Sequence, residues 1–311
     1  MAVGVGASGF VGFAPETVSG TYQAPTIYSL LRNEGMQHEQ DTKWRRPLRG
    51  IADVAGAVAG SSHVEGDIEI EVTEDELVYW LKGARGATVK TGAGPYLYTF
   101  TPNAVAVPTS TISITVVRNG IAFGYVGCIV GGIKVSIDEG TLIAVLSITG
   151  NKEASATLPT PTYPSQIPFG MGQYRLEIPT ATQVFDADTF ELTINDNPEP
   201  QYRLKDTDTA AQFNKFGERS VELAINRDFE TRTDYDAFKV LTAQSITLKC
   251  TKSVNQYVQF KVPASVKDSY EIEGLSGQAE LIRAKISYQG VYDAGTSKAY
   301  EIVISTATNI L

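Results

Sequence analysis

A mainly β fold with short helices, of the α+β class and arranged as two tandem domains, is predicted by three features of the chain. Its 311 residues include 28 Gly, 14 Pro and 15 Tyr among abundant Val, Ile and Thr, which suits short pleated segments punctuated by turns. Several segments alternate apolar and polar residues with period two, the mark of a strand with one buried face. A proline-rich stretch, 158–168, lies just past the middle, and the same order of elements is found on either side of it. Each proline fixes φ and removes a backbone donor, so this stretch is neither helix nor central strand and reads as a linker. The expected domains are 1–157, with an N-terminal arm and a long loop over 32–63, and 172–311, joined by the linker 158–171.

The clearest strand runs over 64–72, where Val64, Ile68, Ile70 and Val72 alternate with Glu65, Asp67, Glu69 and Glu71. Directly after it, Thr73 and Glu76 have the spacing of a capping box, and Leu77, Trp80 and Leu81 give a short amphipathic helix over 75–81 that is expected to end at Gly83. A strand at 112–116 then leads through Arg118-Asn119-Gly120, an Asn-Gly turn, to a partner arm at 122–125. Segments 133–137 and 142–148, joined by Asp138-Glu139-Gly140, read as a second hairpin. In the second half, 220–225 alternates as a strand, and 234–241 is a short helix with Tyr235, Phe238 and Leu241 on one face. Segments 246–250 and 257–262 form a hairpin-like pair, and 281–288 and 300–305 close the set. Two long connections, 32–63 and 196–217, precede the alternating strands. Loops of that length in a compact domain are usually functional or ordered by a partner, which makes both candidate intersubunit arms.

The formal net charge of -9 speaks against a protein that grips nucleic acid, because such a grip needs clustered Lys and Arg to neutralise phosphates. Cys128 and Cys250 are too far apart for a metal or redox motif and read as half-buried free thiols of a protein folded in a reducing cytoplasm. The apolar start lacks the basic residues of an export signal, and no run of 18 apolar residues suggests a membrane span. Gly4, Gly6 and Gly9 spell G-x-G-x-x-G, but no strand can precede them, so a terminal arm is the better reading. No P-loop or nucleophile elbow occurs. His38 and His63 read as solvated loop residues, and the pairs Asp186 with Asp188 and Asp206 with Asp208 as turn formers, not as acid/base dyads. No catalytic residue, metal site or cofactor is expected.

Two patterns carry sharper hypotheses. Glu65, Asp67, Glu69 and Glu71 share one strand face, where like charges repel unless water or cations screen them. That suits either a solvated outer face or a wet, anionic channel wall. Lys43, Trp44, Arg45, Arg46 and Arg49 form the one basic cluster, and Trp and Arg are enriched at interface hot spots, so a docking contact with a neighbouring ring is the preferred reading over a solvated loop.

Beyond these patterns, several local features follow in a recognisable order: the Gly-rich start, Thr21-Tyr22 leading to Ala24-Pro25-Thr26, and the charged segment Arg45-Arg46-Pro47-Leu48-Arg49-Gly50. They continue with Val64-Glu65-Gly66, the following helix and Gly124-Tyr125-Val126-Gly127. In this the chain resembles the major tail tube proteins of long-tailed, non-contractile phages, the siphophages. The resemblance implies two tandem β-sandwich or barrel domains, each with a flanking helix, whose inner sheets join around a ring into a continuous barrel. It implies rings stacked through loops and arms, six-fold for single-domain subunits and trimeric, pseudo-hexameric for two tandem domains, which the repeated element order favours here; with the acids of 64–72 it suggests an anionic lumen conducting genomic DNA, and a virion location after assembly in the host cytoplasm. The implied partners are further copies of the chain, the tape-measure protein and the terminator and distal tail proteins, with no membrane. Alternatives from other classes are a capsid-decorating or other tail-associated β-rich protein, and a β-sandwich carbohydrate-active enzyme, which needs two carboxylates facing across a groove.

Overall fold

A computed structural model describes residues 9–46, 53–85, 88–102, 110–179, 181–202, 209, 212–229, 232–273 and 282–310. The start through Ser8, Arg49, Asp206 and Asp208 lie outside the described residues. The first half contains β1 (Phe10–Pro15), β2 (Ile27–Tyr28), β3 (Leu31–Glu34), β4 (Gln37–Arg45), β5 (Gly56–Glu71) and α1 (Glu74–Arg85). It continues with β6 (Thr88–Thr91), β7 (Tyr96–Phe100), β8 (Ile112–Arg118), β9 (Ile121–Asp138), β10 (Thr141–Gly150) and β11 (Lys152–Ser155). The second half contains β12 (Tyr174–Glu177), β13 (Gln183–Val184), β14 (Ala187–Asn195), β15 (Pro198–Gln201), β16 (Gln212–Phe216) and β17 (Ser220–Asp228). After them come α2 (Thr233–Lys239), β18 (Gln244–Ser253), β19 (Gln256–Ile272), β20 (Arg283–Gly290) and β21 (Glu301–Thr306). The fold is mainly β with two short helices, and 156–170 has no regular secondary structure, as its prolines require.

Strand pairing repeats along the chain. In the first half β3 pairs β5, β5 pairs β10, β10 pairs β9, β9 pairs β8 and β11, and β8 pairs β1, all antiparallel. In the second half β14 pairs β17, β17 pairs β20, β20 pairs β19, β19 pairs β18 and β21, and β18 pairs β12, again antiparallel. Two further pairings join the halves: β9 with β14, which links the two sets edge to edge, and β7 with β21. Strands β3, β5, β10, β9, β14, β17, β20 and β19 therefore lie side by side. Alternation along them buries one face: Ile68 and Ile70, Ala144 and Leu146, Val135, Leu192, Leu223 and Ile286 all belong to one apolar cluster.

Helix α1 packs on that cluster. Leu77, Val78, Trp80 and Leu81 are fully buried, Trp80 stacks on Phe13 at 3.9 Å, and its indole N–H donates to Ser29 Oγ at 3.1 Å. This packing carries the helix through Gly83 to Arg85, where a glycine stop is expected from sequence, because a mid-helix glycine costs only about 1 kcal/mol. The cap half of the box is present, with the Glu76 N–H donating to Thr73 Oγ1 at 3.4 Å. The Glu76 carboxyl instead turns inward at 2% exposure, and neither oxygen has a hydrogen-bond partner. Burial pushes its pKa up to about 7, while the nearby Ser29 hydroxyl, Leu30 backbone and Trp80 indole pull it back without reaching hydrogen-bond geometry.

Helix α2 is held differently. None of its residues is buried, and the expected Leu241 lies past its end with a φ of 50°. Asp234 anchors it, accepting from Arg227 Nη1 at 2.6 Å and facing Lys267 Nζ at 3.3 Å. Lys267 is only 2% exposed, and burial lowers its pKa against the pull of Asp234.

Several sequence expectations are corrected. The arms expected at 122–125 and 133–137 are one strand, β9, because Gly127 takes a φ of 66° and lets the backbone bend without breaking the ladder. The long connections 32–63 and 196–217 are not loops: the first is built from β3, β4 and the start of β5, and the second carries the β15–β16 hairpin. Cys128 and Cys250 are fully buried rather than half-buried, and burial raises both thiol pKa values.

Candidate functional site: a polar sheet face and a projecting hairpin

Because β5 alternates over 64–71, Glu65, Asp67, Glu69 and Glu71 project from the face opposite the core, as their spacing predicts. Glu65 and Asp67 are exposed, and Glu69 and Glu71 are half-buried. On β10 they stand opposite Thr149, Ser147, Val145 and Ile143. Register carries the same face across Lys134 and Ser136 of β9, Glu191 and Thr193 of β14, Glu222 of β17 and Gln289 of β20.

The acids on this face are partly tied down. Ser147 Oγ donates to Asp67 at 2.7 Å, and Lys134 pairs with Glu191 at 2.9 Å across the β9–β14 junction. His63 is not simply solvated. Its Nε2 lies 3.2 Å from Glu65 and its Nδ1 lies 3.1 Å from the Tyr202 hydroxyl, which ties the β15 end to β5. Arg32 donates to Asp138 at 2.8 Å, and that bond, with the charges of Glu69 and Glu71, raises its pKa. Glu191, Glu222 and Arg32 were missed by sequence reasoning. The alternation of Phe190, Leu192 and Ile194 with Glu191 and Thr193 is the signal that could have found the first.

Asp186 and Asp188 do not act together. Asp186 is bound by Arg227 at 2.8 Å and Asp188 by Arg283 at 2.9 Å. Among the described residues no cluster of three or more His, Cys, Asp or Glu is placed to hold a metal, and no helix is long and apolar enough to cross a membrane.

The basic cluster sits at the tip of the β4–β5 hairpin. β10 covers β5 only as far as Val64, so among the described residues 56–63 pairs with β4 and otherwise only through a single bridge at Ser62. Eight residues at ~3.3 Å each project about 26 Å past the covered sheet. Lys43, Trp44, Arg45 and Arg46 are exposed there, Trp44 at 64%, and none makes an ion pair among the described residues. The β15–β16 hairpin lies alongside, through a bridge between Ser62 and Thr209.

No curated protein matches the chain. Residues 6–290 match the family model described as phage tail tube protein, nearly the whole length of a chain whose sheet presents one long polar face, and the chain therefore belongs to the phage tail tube protein family.

Proposed function

We propose that this chain is the repeating subunit of the tail tube of a long-tailed, non-contractile phage, forming rings of three that stack around an anionic lumen through which DNA is ejected. The observation that carries the reading is the single polar face running across eight strands from both halves of the chain, richest in acid on β5. The recurrent pairing supports two tube-type domains, 1–157 and 172–311, linked through 158–171. Three copies would supply about 24 strands. At ~4.8 Å spacing and ~40° tilt these close a barrel of roughly 48 Å backbone diameter, wide enough for a duplex with a water layer. Two copies would give about 32 Å, which side chains would fill nearly to the duplex surface.

Function then follows from charge. A wall able to pair with phosphates would hold DNA along its whole length, whereas acids such as Glu65, Asp67, Glu69 and Glu71 leave water and cations between wall and duplex. The subunit works by geometry and repulsion, not by catalysis. The projecting hairpin, with Lys43, Trp44, Arg45 and Arg46, is the contact to the next ring, together with Arg49 from outside the described residues, and the lumen first holds the tape-measure protein. Terminator and distal tail proteins meet the two ends of the tube. Negative-stain microscopy of the concentrated protein is expected to show hollow tubes of uniform width. Discrete monomers or trimers at all concentrations would instead favour a decorating protein.

A further inference from the structure

The row of eight strands that carries the polar face ends in two open edges. β3 pairs only with β5, and past Ser265 β19 pairs only with β20, so one edge of each is unpaired among the described residues. An open edge is a template for another strand. Both edges have counterparts inside the chain that are not open: β14 corresponds to β3, β9 corresponds to β19, and β14 pairs with β9 from Glu191↔Ser136 to Asn195↔Gly132.

The correspondence holds rung by rung outside the bulges, which fall between Val130 and Gly132 in β9 and between Lys267 and Ser269 in β19. Lys152↔Val126 and Ser155↔Phe123 recur as Glu301↔Lys261 and Ile304↔Val258, so on these rungs a β19 position carries the number of its β9 counterpart plus 135. That offset equates Val135 with Tyr270 and Ser136 with Glu271. The rungs agree independently: Val135, Ala144, Ile70 and Leu31 stand in a row across the first set, and Tyr270, Ile286, Ile225 and Phe190 across the second. A bulge in β3 puts Arg32 and Asn33 together opposite Glu69, at the position Glu191 holds in β14.

Resting on the tube reading above, we propose that each ring is closed by antiparallel pairing of β3 of one copy with residues 269–272 of the next, Arg32 and Asn33 facing Glu271 and Leu31 lying against Ile272. The internal junction is the template, with its Lys134–Glu191 pair at 2.9 Å. Between copies the signs are reversed, the base standing on β3 and the acid on β19. That reversal also selects the partner, because β14 offered to β19 would set Glu191 against Glu271. Arg32 already holds Asp138, and its guanidinium has donors left for a second carboxylate. Ile272, 43% exposed in the single chain, is covered by the pairing.

Oxidation of the double variant Leu31→Cys/Ile272→Cys in assembled tubes tests the register, since Cys128 and Cys250 are buried and do not compete. The expected result is a covalent trimer on a non-reducing gel. Separately, Arg32→Glu is expected to raise the protein concentration needed for polymerisation at least tenfold while the subunit stays folded, its melting temperature lowered only slightly by loss of the exposed Asp138 pair, and Arg32→Glu/Glu271→Arg to restore polymerisation. Tubes that form but never cross-link, or an Arg32→Glu protein that polymerises like the parent, would overturn the edge assignment and leave the tube reading standing. A parent protein that forms neither rings nor tubes would overturn both.

Discussion

Glu76 shows how one residue can serve a helix cap through its backbone and burden the fold through its side chain. Its folded pKa of about 7 lies above the ordinary 4.5, so between those values the folded state keeps a proton that the unfolded state has lost. The contribution of this group to stability is therefore greatest below pH 4.5 and falls as pH rises to about 7, by roughly 3 kcal/mol in all. Glutamine has the shape of the protonated acid without the charge. Glu76→Gln is expected to match the parent near pH 4.5 and to exceed it by about 2–3 kcal/mol at pH 8. Urea midpoints measured across that range check this, and identical pH slopes in the two proteins would remove Glu76 as the cause. Sequence showed the Thr73–Glu76 spacing but not the turn of the carboxyl inward, where Ser29 and Leu30 meet it from a distant part of the chain.

Elements were legible where one face is buried and the other wet. Residues 64–71 alternate because the sheet does, and Asn119, Gly120 and Gly140 turn with the positive φ values their residue types favour, Glu139 being carried into the same region by its turn. The β4–β5 hairpin was read as a loop because a ribbon exposed on both faces imposes no alternation: Gln37 to Arg45 is polar or charged almost throughout. β9 hid for the opposite reason, being buried on both faces over its middle, so its glycines looked like breaks. Beyond the Ser62–Thr209 bridge the ribbon pairs with no third strand among the described residues, and a two-stranded ribbon is marginally stable in water, which argues that its tip is ordered against a partner. Charge reversal of Arg45 and Arg46 is expected to leave melting unchanged, because neither side chain packs on the body, and to stop tube elongation. Tubes of normal length from that double variant would detach the hairpin from ring stacking.

At the scale of the whole molecule, the acids of β5 matter through the surface they join. Lys replacing Glu65, Asp67, Glu69 and Glu71 together places four cations on a face that buries none of them deeply, so assembly is expected to survive. At physiological ionic strength repulsion between wall and duplex acts over about 8 Å, and reversing its sign over that range turns a slipping surface into a gripping one. DNA release from particles carrying the quadruple variant is expected to slow severalfold or stall, read as the rate of dye uptake by ejected DNA. Release at the parent rate would place these side chains away from the lumen.

The sequence by itself determined the β-rich class, the period-two strand with its four acids on one face, the capped helix after it and the break at 158–168. Each is written within a window of a few residues, where side-chain alternation, φ preference and missing donors act locally. Only the tertiary structure decided that β9 meets β14, and with it that the faces carrying Glu65 and Glu222 are one surface. Ser136 and Glu191 pair although 55 positions separate them in the chain. Such a rung is chosen by the competition of whole strands for edges, a comparison that no local window contains.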